Sequence, residues 1–199
     1  MTIDRARFEQ GLTYAAFKAQ MTRNLDRVEE NERRVELRPE DVAAFRGLPR
    51  PLNVVVLAED WCGDVIANLP VLGRIAQESG RLNIRVFLRD QNDDIMQRYL
   101  NQGKYKSIPV FVFLDERFRE LGHWIERPAS VTELRAERRR DIFAAHPEFG
   151  APDASVDQLP EDVRGRLQAE LQKMRDETTS FANAEVIREI RDLVTRVAA

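Results

Sequence analysis

Three short runs of apolar, largely β-branched residues constrain this chain more than anything else in its sequence. They are Val54-Val55-Val56-Leu57-Ala58, then Ile84, Val86, Phe87 and Leu88, then Ile108 to Leu114. Each reads as a strand buried on both faces. Between the first and second, Ile66, Leu69, Leu72 and Ile75 fall on one side of a helix closed by Ser79-Gly80. Between the second and third, Asn92 is placed to cap a helix through Leu100, and Gly103 to stop it. His123-Trp124-Ile125 supplies a fourth strand after a turn around Asp115-Glu116-Arg117. Strand, helix, strand, helix, strand, strand implies an α/β fold with a mixed sheet flanked by helices.

Helical patterns lie on both sides of this core. Within residues 1–50, Tyr14, Phe17, Met21, Leu25 and Val28 recur at steps of three and four, the spacing of one helical stripe, with Thr13 before it as N-cap. Pro39-Glu40-Asp41 opens a shorter helix that the Gly47-to-Pro51 stretch ends. Past residue 129, Ser130-Val131-Thr132-Glu133 has the spacing of a capping box. A loop with Pro147, Pro152, Asp153 and Asp157 follows, and Pro160 starts another helix. The last helix sets Val186, Ile187, Ile190, Leu193, Val194 and Val197 on one face, which must be covered by the core or by a partner subunit. The expected organisation is an N-terminal helical extension (1–50), a core (51–128) and a C-terminal helical segment (129–199), with a homodimer through the last helix as one use of that face.

Composition narrows the function classes. The 199 residues can bury a real core, and 31 basic against 34 acidic residues point to neither nucleic acid nor an anionic membrane. No apolar run approaches the roughly 20 residues of a membrane span. Asp4, Arg5 and Arg7 without an apolar stretch argue against a secretory signal. One cysteine excludes a disulfide within the chain and a cysteine-rich zinc site, and favours a reducing cytoplasm. His123 and His146 lie far from it and from each other, so no metal-ligand spacing exists; both read as structural. Arg138-Arg139-Arg140 is interleaved with acids and reads as a solvated helix face, and Gly63 belongs to no phosphate-binding glycine pattern. No cofactor is implied.

The lone thiol, Cys62, stands after the first strand and at the start of the next helix. Unpaired amides and the positive end of the helix dipole favour a thiolate there, and the thiolate is the nucleophile. Glu59, Asp60 and Asp64 oppose this wherever they lie close, so the net sign stays open in the sequence.

Ala58-Glu59-Asp60-Trp61-Cys62-Gly63-Asp64 resembles the active-site stretch of the thioredoxin superfamily, where Trp-Cys-Gly-x-Cys follows a central strand. Pro70 matches the family's helix-kinking proline, and Asp90-Gln91-Asn92 the segment after its next strand. Ser107-Ile108-Pro109 is similar to its cis-proline loop, which presents backbone groups to a bound peptide or thiol. The resemblance covers roughly residues 50–127 and is closest to a bacterial branch with Trp-Cys-Gly-Asp. It implies a thioredoxin-like mixed sheet with helical extensions at both termini. Two departures stand out. Val65 occupies the place of the resolving cysteine, and Val56 that of the buried acid that serves it. The two-thiol cycle, in which a second thiolate releases the mixed disulfide, is excluded for the isolated chain.

The resemblance then implies monothiol redox chemistry, with Cys62 as nucleophile and a protein or small thiol as partner. Trp61, Gly63 and Asp64 would form the surrounding turn, and Ile108 and Pro109 the docking edge. One alternative is a redox-inactive binding module that keeps only the groove beside Trp61 and Pro109. A second is a glutathione-transferase-like enzyme, which also joins such a domain to helices.

Overall fold

The computed structural model describes residues 3–152 and 159–197. Asp153, Asp157 and the side chain of Val197 lie outside the described residues. Four strands form one mixed sheet: β1 (Leu52–Ala58), β2 (Leu82–Leu88), β3 (Val110–Leu114) and β4 (Glu120–Ile125), in the order β2-β1-β3-β4. β1 runs parallel to β2 and antiparallel to β3, and β3 is antiparallel to β4. Val54 to Ala58 are wholly inaccessible, as befits a central strand covered on both faces.

Four helices precede the sheet: α1 (Arg5–Glu9), α2 (Tyr14–Gln20), α3 (Leu25–Arg34) and α4 (Pro39–Arg46). The expected single stripe from Tyr14 to Val28 is divided between α2 and α3. At the break, the Thr22 amide and hydroxyl both donate to the Asp60 carboxylate, at 2.9 and 3.0 Å, and Asn24 turns left-handed (φ 59°). A side chain thus takes an amide that a continuous helix would have used. Thr13 does cap α2, accepting from the Ala16 amide.

Helix α5 (Gly63–Ser79) makes the crossover from β1 to β2 and ends at Gly80, left-handed at φ 66°. Pro70 inside it has no N–H to give, which frees the carbonyl four residues back. That carbonyl, on Ile66, accepts instead from Asn31 Nδ2 of α3 at 2.8 Å. The next helix, α6 (Asp93–Met96), is shorter than the expected run to Leu100. The Asn92 side chain does not cap it: Nδ2 donates to the Leu88 carbonyl at 2.7 Å, and Oδ1 accepts from Arg7 at 2.8 Å.

Chain contacts define two compact units, residues 1–127 with 186–199, and residues 128–185. This division differs from the three-part expectation. Residues 1–50 share the sheet's unit because Ile3, Phe8, Phe17, Val35 and Phe45 are buried in its core. The end of α9 (Thr179–Val197) also belongs there, with Val186, Ile187, Ile190 and Val194 buried. Those four residues of the apolar face therefore lie on the chain's own core. Gly122 of β4 permits the approach, since a Cβ there would meet Leu193 at 2.9 Å. Trp124 Nε1 donates to Glu189 at 2.7 Å, and Arg191 pairs with buried Asp41 at 2.8 Å.

The second unit contains α7 (Ala129–Ala145), α8 (Glu161–Glu177) and the first residues of α9 around Phe143, Phe149 and Leu167. Ser130 is not the hydroxyl of a capping box. Pro128 is the N-cap residue of α7, and Ser130 Oγ donates to Glu185 at 2.6 Å.

Candidate functional site

Parallel β1 and β2 deliver the segments that follow them to the same end of the sheet, where open α/β folds place their sites. Cys62 and Arg89 meet there for this reason. The sequence-predicted residues Trp61, Cys62, Gly63, Asp64, Ile108 and Pro109 come together, although their exposures differ. Trp61 is 45% exposed. Cys62 is half-buried, while Ile108 and Pro109 are buried. The Ile108–Pro109 peptide bond is cis.

The Cys62 thiol donates to the Ile108 carbonyl, with sulfur and oxygen 3.4 Å apart. Burial pushes the thiol pKa up. The neighbouring Val65 and Asp64 amides oppose the rise, although no capping hydrogen bond closes onto the sulfur. Asp64 adds to the rise and Arg89 works against it. Of the three acids that flank the thiol in sequence, Asp64 is the one that acts on it. Asp60 is turned to Thr22. Glu59 is buried and accepts from the Asp90 amide at 2.8 Å; burial raises its carboxyl pKa. Val65 and Val56 are completely buried.

Around this centre stand residues that the sequence reading did not single out. The Arg89 guanidinium lies 4.8 Å from the centre of the Trp61 ring and donates to the Lys106 carbonyl, tying the tryptophan to the Ser107–Pro109 loop. Arg127 pairs with Asp64 at 2.8 Å and with Glu126. Asn68 Nδ2 of α5 donates to the Glu126 carbonyl at 2.8 Å. The position of Arg89, directly after the strand parallel to β1, was the available signal for that residue. Arg127 and Glu126 carry no such signal, because β4 brings them in from a distance in sequence.

Among the described residues, no cluster of His, Cys, Asp and Glu could hold a metal ion, and no helix is long and apolar enough to cross a membrane. His123 is paired with Glu120 and packed on Tyr99; His146 stacks on Phe149.

A central mixed sheet, a helix opening at Trp-Cys-Gly and a proline loop facing the cysteine define a thioredoxin-fold protein. The thioredoxin family model matches residues 11–139, more than half of the chain, and the protein belongs to that family. A crystal structure of an HIV epitope-scaffold shares the fold, with a TM-score of 0.64 at 18% identity, covering 96% of this chain and 97% of that one. So does a protein of unknown function from Pseudomonas aeruginosa, with a TM-score of 0.60 at 20% identity, covering 85% of this chain and 98% of that one. A search of curated proteins finds no match.

Proposed function

We propose that this protein is a thioredoxin-fold docking module whose cysteine rests as a thiol. The groove between Trp61 and the Ser107–Pro109 loop would take an extended segment of a partner protein, with Cys62 as part of its floor. The observation that carries this reading is the 3.4 Å approach of Cys62 Sγ to the Ile108 carbonyl oxygen, a contact that favours a thiol, which can donate to it, over a thiolate, which it would repel. Two facts support it. Burial disfavours the thiolate, and buried valines stand at the two positions that a dithiol cycle needs.

Monothiol exchange is the second reading, favoured by the helix amides near the sulfur and by Arg89. It would require a small or protein thiol to form, and a second thiol to release, a mixed disulfide at Cys62. The glutathione-transferase reading gains no support from the family match.

Partner capture by the immobilised chain separates the two readings. Docking predicts that Cys62→Ser and an excess of reductant leave the captured set intact, whereas Trp61→Ala depletes it. Capture that disappears in Cys62→Ser and under reductant would establish the exchange reading instead.

A further inference from the structure

Glu126 holds a backbone conformation that its residue type disfavours. Its φ is +65°, in the left-handed region, at the end of β4. Such conformations persist where the surroundings over-determine them. Every polar group of Glu126 is engaged with the groove. Its amide donates to the Pro109 carbonyl at 2.8 Å, and its carbonyl accepts from buried Asn68 of α5 at 2.8 Å. Its carboxylate accepts from Asn101 Nδ2 at 2.9 Å, from the Ser107 hydroxyl and from Arg127, which also grips Asp64. One residue thereby joins the loop from Asn101 to Pro109 to the start of the helix that carries Cys62.

We infer that Glu126 is a positioning residue for this groove: its carboxylate holds the Asn101–Pro109 loop, and with it the Ile108 carbonyl, against the Cys62 thiol. The inference deepens the docking reading, because it names what keeps the groove floor closed before a partner arrives. Although burial alone pushes the Glu126 carboxyl up, its hydrogen bonds and the Arg127 charge hold it below the usual range, so it is the charged form that ties the loop.

The test reads iodoacetamide alkylation of native Cys62 across pH. Asp64 and Arg89 are the charged groups that bear on the sulfur, and both remain in every variant. Glu126→Gly suits the left-handed backbone and removes the side chain with its carboxylate, while Glu126→Gln removes the charge alone. Glu126→Gly is expected to raise alkylation at neutral pH about tenfold and to move the midpoint down by about one pH unit, because a loosened loop lets water reach the sulfur. Glu126→Gln keeps an acceptor oxygen for Asn101 and should fall between Glu126→Gly and wild type. An unchanged rate and midpoint in Glu126→Gly would overturn the inference and leave Glu126 a backbone role alone. If that variant does not fold, Asn101→Ala combined with Ser107→Ala removes the loop partners without touching the turn. The same shift is expected there, and its absence is equally fatal. Each shift is read against wild type, so the difference between Glu126→Gly and wild type decides the role of Glu126, whereas a wild-type thiol already ionised at neutral pH refutes the resting-thiol reading.

Discussion

The two units bury their aromatic side chains in contrasting ways. In the sheet unit, Phe111 is completely inaccessible and stacks on Trp124, with ring centres 5.0 Å apart. In the second unit, Phe143 and Phe149 meet edge to face at 6.2 Å beneath polar side chains: Arg139 lies over Phe143, and Arg166 and the His146 ring over Phe149. At the sheet's centre helices cover whole residues on both faces, and arginines close only its rim, Arg85 over Phe8 and Arg7 over Phe87. In the three-helix unit, by contrast, long side chains with apolar stems lie over both rings of the small core. The difference bears on function, since Cys62 stands on the unit whose interior is dry and close-packed, where a half-buried thiol can be held at a fixed distance from a carbonyl.

The largest expected effects test this contrast directly. Phe111→Ala should cost about 3–5 kcal/mol in chemical denaturation, whereas Phe149→Ala, beside its solvent-touching lid, should fall nearer 3 kcal/mol. Phe149→Ala should also leave the rate of native Cys62 alkylation unchanged. Equal costs, or a Cys62 rate that follows Phe149, would remove the distinction.

A smaller effect is expected at Asp41, which the sheet unit holds between Arg38 and Arg191. Burial pushes its carboxyl up, but the bonds from the two arginines hold it below the usual range. A depressed folded-state value stabilises the fold above the unfolded carboxyl pKa of about 4, and the contribution fades as pH falls through the folded value. Asp41→Asn should therefore lower stability by about 1–2 kcal/mol at neutral pH, discounted because both arginines reach solvent. The gap from wild type should close in denaturation curves as pH falls through the depressed folded-state value and the wild-type carboxyl is itself protonated. A gap independent of pH would assign the effect to packing.

The smallest concerns the bond that compensates for Pro70. Asn31→Ala leaves the Ile66 carbonyl without its donor and should cost about 1 kcal/mol. Asn31→Ala combined with Pro70→Ala should recover part of that loss, because an alanine amide can then reach Ile66. No recovery would show that Asn31 acts through something other than the proline.

These contrasts also show which parts of the fold were readable from residues alone. The strands were legible because β-branched runs such as Val54 to Ala58 have few alternatives, and the cysteine turn because it follows such a run. The break between α2 and α3 was not, since it depends on Asp60, which is far away in sequence, competing for the Thr22 amide. Ser130 resembled a cap by spacing, yet a carboxylate from Glu185 reaches its hydroxyl. Glu126 and Arg127 escaped notice for the same reason: their roles arise from tertiary neighbours that no local pattern encodes. Local rules located the cysteine at the start of its helix; long-range contacts supply the carbonyl and the charged groups around it.

If Cys62 rests as a thiol against the Ile108 carbonyl, its alkylation across pH in the native wild-type protein will show it. Modification should be slow at neutral pH, with a midpoint above the free-cysteine value of about 8.5. Rapid modification at neutral pH, with a midpoint below that value, would mean that the helix amides and Arg89 outweigh burial, and would contradict the resting-thiol reading.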